Sequence, residues 1–145
     1  MKTSREEGRR VSREWGEIEA LCRRYLAALE SGDLESLLAN FSDDATATSP
    51  ISGKQPAADF YAYVMRVTSD RKMALKTIFV GTSNPRQAAV HVAYTRTVAD
   101  GQPATIEGVD IFELTEDGSK ISAITIIYDT APVRAEFDRP GARRR

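Results

Sequence analysis

Residues 87–115 read QAAVHVAYTRTVADGQPATIEGVDIFELT. Two runs rich in β-branched and aromatic residues flank Asp100-Gly101, a dipeptide suited to the left-handed backbone of a tight hairpin turn. The pattern predicts two antiparallel strands, Gln87 to Val98 and Thr105 to Thr115. Similar runs lie on either side, Met73 to Val80 and Ile121 to Asp129, set off by turn signals at Gly81 to Pro85 and at Asp117-Gly118. The second half of the chain therefore reads as four consecutive strands.

The first half reads as helix. Trp15, Ile18, Leu21, Cys22, Tyr25, Leu26 and Leu29 recur at intervals of three and four, the stripe of a helix with one buried face. Ser12 is placed to cap its start and Gly32 its end. Asp33 then caps a second helix bearing Leu34, Leu37, Leu38 and Phe41, stopped by Ser42-Asp43-Asp44. An extended segment from Ala45 to Ser52 follows. Pro56 opens a third helix with Ala57, Phe60, Tyr61, Val64 and Met65. Helices followed by a run of strands predict an α+β domain over residues 15–129, with three helices on one face of a curved, mostly antiparallel sheet. A polar leader (1–14) precedes it. A basic tail (130–145), ending Arg143-Arg144-Arg145, has little to bury and is expected to be mobile.

Composition narrows the function. The 145 residues are 41% hydrophobic and 28% charged with a formal charge of −1, and no run approaches the length of a membrane span. Near-neutral charge argues against an extended nucleic-acid surface, so neither nucleic acid nor membrane is an expected partner. The charged start lacks an apolar signal core and the single Cys22 has no disulfide partner, which makes the cytoplasm the default location. Cys22 sits on the helical stripe and reads as a small core residue. One His, one Cys and scattered carboxylates lack the spacing of a metal site, and no Gly-rich phosphate loop is present, so neither metal nor cofactor is expected.

The order helix, helix, strand, helix, four strands resembles the NTF2-like superfamily, and within it the ketosteroid isomerase and SnoaL-like polyketide cyclase group. The resemblance spans about residues 17–129. It is carried by Tyr25 with the turn Gly32-Asp33-Leu34-Glu35, by Phe41-Ser42-Asp43-Asp44-Ala45-Thr46, by PISGKQPAADFY at 50–61, and by Gly101-Gln102-Pro103 ahead of Asp110. It implies a cone-shaped fold enclosing a pocket for a hydrophobic carbonyl compound, steroid-like or polyketide-like. Tyr25 matches the isomerase tyrosine that donates to the developing enolate oxygen, Asp110 its protonated aspartate partner, and Tyr61 a supporting tyrosine. An apolar site keeps such an aspartate neutral, and two donors aimed at one oxygen stabilise its negative charge where water is excluded. The chain departs from the pattern at Ser49, which stands where the isomerase carries its carboxylate base.

His91 offers a replacement base. If Asp100-Gly101 forms a two-residue turn, Ala99 pairs with Gln102 and His91 falls directly opposite Asp110, with Cβ atoms about 5.5 Å apart or less. An imidazole titrating near neutrality beside an acid can move a proton. The face with His91 and Asp110 then carries Ala93, Thr95, Ile106, Gly108 and Phe112. Glu107 points away. Tyr61, Ser49, Phe112 and Tyr128 are the expected substrate-binding residues. The opposite face, with Val90, Val92, Tyr94, Val109 and Ile111, reads as core or as the interface of a homodimer, since the helices cover only one face. The expected activity is cofactor-independent proton transfer (isomerisation, aldol cyclisation or dehydration) by Tyr25, Asp110 and His91. The alternative is a non-catalytic small-molecule-binding or protein-interaction module.

Overall fold

The computed structural model describes residues 3–143. Helices α1 (Ser4–Ser31) and α2 (Leu34–Leu38) lead into strand β1 (Phe41–Ser49), a short β2 (Gly53–Pro56), helix α3 (Ala57–Val67) and four strands, β3 (Thr68–Val80), β4 (Gln87–Val98), β5 (Ala104–Leu114) and β6 (Ile121–Tyr128). A four-residue helix α4 (Arg134–Phe137) and a 3₁₀ turn (Pro140–Ala142) follow. All six strands form one unclosed sheet in the order β2-β1-β6-β5-β4-β3. Only β1 and β6 run parallel; every other neighbour is antiparallel. This is the expected α+β architecture.

Local chemistry explains the helix ends. Gly32 takes the left-handed conformation (φ 77°) that ends α1, and the Asp33 side chain accepts from the Ser36 amide, 3.1 Å away, to start α2. The start of α1 differs from expectation. The helix is capped by Thr3 in a reciprocal box with Glu6, so it runs through the polar leader and not from Ser12. Trp15 is 52% exposed, and the buried stripe begins at Ile18. A second difference lies after α2: Phe41 is already in β1 and buried, so Ser42-Asp43-Asp44 form strand where a helix-stopping turn was expected.

Tyr25, Leu37, Val90, Phe112, Ile121 and Ile124 are among the fully buried residues of the main core, between the helices and the concave face of the sheet. Burial of each such apolar side chain contributes about 1.5–3 kcal/mol.

The register of the β4–β5 hairpin is one residue away from the expected one. Val90 lies opposite Asp110, His91 opposite Val109 and Arg96 opposite Ala104. The chain turns at Val98–Gly101, where the Gly101 amide donates to the Val98 carbonyl (2.9 Å) and Ala99 adopts a φ of 51°. Two contacts favour this turn over the two-residue Asp100-Gly101 form: the Ala99 amide donates to Val67 O (2.8 Å), and Pro103 has no N–H to give to the ladder. A one-residue slip moves every side chain to the other face. The residues of β4 sharing a face with Asp110 are therefore Val90, Val92, Tyr94 and Arg96. His91, Ala93, Val109 and Ile111 face outward, so the expected division of the two faces is corrected on β4.

The C-terminal segment is docked where a mobile tail was expected. Val133 and Ala142 are completely buried, and Tyr63 donates a hydrogen bond to the Ala142 carbonyl. Ala142 packs with Val67 and Val98 in a second small core that Phe137, Tyr63 and Ala99 flank. Two buried residues, with Phe137 beside them, suffice because they meet an apolar edge. Arg144 and Arg145 lie outside the described residues.

Candidate functional site

Three elements converge on one end of a cavity. α1 supplies Tyr25, α3 supplies Tyr61 and the middle of β5 supplies Asp110, all buried. The Tyr25 and Tyr61 hydroxyls are 2.7 Å apart. Tyr25 Oη donates to Asp110 Oδ2 across a long 3.5 Å. Aromatic edges fix the Tyr25 ring: its centroid lies 5.2 Å from that of Phe112, 6.0 Å from Phe41 and 6.1 Å from Tyr61.

Burial sets the protonation of this cluster. Loss of solvent raises the Asp110 carboxyl to about 7, against the opposing effect of the Tyr25 hydrogen bond. Both phenols are pushed well above their ordinary range, first by burial and then by charge on their neighbours. The two phenols thus stay protonated at neutral pH while Asp110 exchanges its proton there.

From these residues a cavity of about 90 Å³ extends between helices and sheet. Leu29, Phe60, Val64, Val92, Ile106 and Ile126 form apolar walls, and Tyr94, Arg96, Tyr128 and Phe137 stand at the other end. Gly108 also lines it; a Cβ there would lie 2.6 Å from the Ile127 carbonyl, so the close approach of β5 and β6 requires glycine. The volume is small beside the roughly 300–1,000 Å³ of pockets that hold drug-sized ligands.

The opposite end also holds Arg96 and Tyr94, which were not expected to belong to the site. Arg96 has only 1% of its side chain exposed and meets Glu136 of α4 in a two-pronged ion pair, Nη2 to Oε1 at 3.0 Å and Nη1 to Oε2 at 3.3 Å. Nη1 also donates to the Ala104 carbonyl (3.2 Å). Tyr94 Oη is buried and makes no hydrogen bond of normal length, although the Thr68 hydroxyl is near enough to oppose the upward pull of burial on its acidity constant. The arginine in the strand was the available signal; the expected register turned it outward.

The other expected site residues divide. Tyr128 lines the cavity, its phenol raised chiefly by burial. Phe112 lies behind Tyr25 in the core and does not line the cavity. Ser49 is buried but turned to its own loop, its Oγ accepting from the Ser52 amide (3.1 Å), and it too is absent from the lining. His91 does not meet Asp110. It sits on the outer face of the sheet with Nε2 2.9 Å from Glu107 Oε1, because of the register described above. Cys22 is buried, its thiol pushed up to about 11 mainly by burial. Among the described residues no group of three or more His, Cys, Asp or Glu could hold a metal ion, and no helix is long and apolar enough to cross a membrane.

Comparison with known proteins agrees with this architecture. PrhC from Penicillium brasilianum superposes with a TM-score of 0.75 at 17% identity, over 88% of this chain and 93% of that one. A candidate polyketide cyclase from Pseudomonas putida gives 0.65 at 20% identity, over 75% and 89%. A protein of ketosteroid isomerase-like fold from Catenulispora acidiphila, solved with trimethylamine, gives 0.69 at 12% identity, over 86% and 97%. At these identities the likeness shows the fold, an NTF2-like cone. The SnoaL-like domain family matches residues 22–124, most of the helices and sheet that build the cavity, and the chain belongs to that family.

Proposed function

We propose that the cavity binds a hydrophobic carbonyl compound, steroid-like or polyketide-like, and that the protein catalyses cofactor-independent proton transfer on it. The observation that carries this reading is Asp110: a buried carboxyl poised at about 7 beside a phenol pair, at the closed end of an apolar cavity. In this scheme Tyr25 donates to the substrate's carbonyl oxygen while its own oxygen accepts from Tyr61. The ionised Asp110 takes a proton from the carbon next to that carbonyl. The C–H electrons pass into the enolate, whose oxygen the Tyr25 hydrogen bond stabilises. The protonated Asp110 then returns the proton to carbon, completing an isomerisation, or to a departing hydroxyl, completing a dehydration. An aldol cyclisation uses the same enolate as nucleophile. The task expected of His91 thus passes to Asp110.

The test is solvent exchange of the acidic protons of a bound ketone, followed by NMR. The rate should climb with pH through about 7 and then level off, and Asp110→Asn should lower it by on the order of 100-fold or more. A rate that falls through that range would make Asp110 a proton donor and not the base. Exchange undetectable across a panel of enones and β-keto compounds that do bind would favour the second reading, a non-catalytic binding module. One observation supports that second reading: among the described residues, Asp110 is the only carboxylate lining the cavity, and no imidazole lines it.

The homodimer proposed alongside uses the outer sheet face; Val90, Val92 and Tyr94, expected on it, face inward, and the outer face carries Val109 and Ile111 with Ile127 and Phe79, both about half exposed.

A further inference from the structure

We infer that Arg96 is an anchor for a carboxylate on the ligand, and that Glu136 occupies this anchor as the latch of a C-terminal lid. The inference deepens the reading above, on which it rests for the identity of the cavity. It names the substrate class as a long hydrophobic acid, with its carbonyl at Tyr25 and its carboxylate at the opposite end.

Four observations lead there. First, the cavity of about 90 Å³ is small for a polycyclic or chain-like ligand, which a movable wall would accommodate. Second, of the lining residues only Phe137 lies outside the sheet and the three larger helices, which identifies the C-terminal segment as the movable part. That segment is held at its ends, by buried Val133 and buried Ala142, while α4 between them has no side-chain cap and buries none of its own residues. Third, the main polar tie from α4 to the cavity wall is Glu136 on Arg96. Lifting α4 removes the carboxylate partner of a guanidinium on strand β4 whose side chain is 1% exposed while α4 is in place. An uncompensated buried charge is strongly unfavourable, so a ligand that brings its own carboxylate favours the open or occupied state over a neutral one. Guanidinium already holds a carboxylate there in the two-pronged geometry it prefers. Fourth, the Arg96 guanidinium carbon lies 5.9 Å from the centroid of the Tyr94 ring on the cavity wall, and the buried Tyr94 hydroxyl lacks a hydrogen bond of normal length.

The separation of the two ends fixes the ligand's proportions. Arg96 pairs with Ala104, six residues along β5 from Asp110, and strands rise about 3.4 Å per residue. The span is about 20 Å before the reach of the arginine side chain is subtracted. A small keto acid cannot bridge it, whereas a fused-ring or long-chain acid can.

The test uses the full chain and two probe pairs in titration calorimetry. One pair is a long 4-alkylphenol ending in a carboxylate and its methyl ester; the other is decanoate and methyl decanoate, which read the Arg96 end without a phenol. In Glu136→Gln, where the internal competitor is neutral, each acid should bind at least tenfold more tightly than its ester, and each acid should gain about tenfold over wild type. Arg96→Lys should keep part of the preference, and Arg96→Met, if it folds, should abolish it. Equal affinity of acid and ester in Glu136→Gln overturns the anchor. If decanoate is preferred over its ester but the phenols show no binding, the anchor stands and the carbonyl-binding reading falls. If the phenols bind without regard to the terminal carboxylate, the reverse holds.

Discussion

Tyr25 and Tyr61 share a 2.7 Å hydrogen bond at the closed end of the cavity, and the longer 3.5 Å approach of Tyr25 to Asp110 leaves the carboxyl less tightly held than the phenols. A group held this way titrates in the folded protein at a different pH from the unfolded chain. Asp110 is raised from 3.8 to about 7, so between those values the native state binds more protons than the unfolded state. Stability from this group is therefore greatest in acid and falls as pH rises from about 4 to about 7, by on the order of a few kcal/mol. Asp110→Asn should flatten that slope and be more stable than wild type at pH 8. Urea denaturation at pH 5 and pH 8 checks it, and a variant with an unchanged slope would show that Asp110 titrates normally.

Removing the central phenol should cost more than removing the outer one. Tyr25→Phe takes away the donor to the ligand oxygen, and binding of enolate-like phenols should weaken by about 1–3 kcal/mol. Tyr61→Phe removes only the group that polarises Tyr25, so its effect should be smaller. Calorimetry with a series of phenols of graded acidity separates the two: the dependence of affinity on ligand acidity should flatten in Tyr25→Phe and survive in Tyr61→Phe.

How much of this site was legible in the sequence follows from which interactions are local. Tyr25 and Tyr61 lie on helices whose apolar spacing fixes their buried face, and Asp110 lies between Val109 and Ile111 on a strand bounded by turns, so all three could be placed before any coordinates. The hairpin register could not. It depends on the Ala99 amide finding Val67, a contact made only once β3 is alongside β4. That single residue of slip turned His91 out and Arg96 in. Likewise the C-terminal segment looks too polar to dock, because Ala142 and Phe137 acquire an apolar partner surface only from Tyr63, Val67 and Val98.

His91→Gln should leave ketone exchange within about twofold of wild type, because the side chain is on the far face of the sheet from the cavity and its partner is Glu107. In the monomer the pair is solvent-exposed, and exposed ion pairs contribute about 0–1 kcal/mol, so the stability of the monomer should also move little. A drop in exchange of 100-fold would mean that the outer face, not the cavity, carries the chemistry.

Gly108→Ala should be poorly tolerated. The added methyl meets the Ile127 carbonyl at 2.6 Å and Tyr128 Cβ at 3.2 Å, both on the neighbouring strand, where neither can rotate away. Overpacking of this kind costs typically about 1–3 kcal/mol, which for a chain of this size is a fall in melting temperature of several degrees. Thermal unfolding followed by circular dichroism measures it.

The homodimer stands or falls on the outer face of the sheet. Ile127 is 51% exposed and pairs across the ladder with Val109, so a charge placed at either position lies at the centre of the proposed contact. Neither side chain lines the cavity, so Ile127→Glu should leave the monomer folded and its phenol binding intact. A desolvated carboxylate without a partner is costly at an interface, and two copies related by a twofold axis would bring two such charges together. Light scattering should then show wild type at twice the monomer mass at micromolar concentration and Ile127→Glu at the monomer mass. A wild-type monomer, or a variant that dimerises as tightly as wild type, would move any interface away from this face.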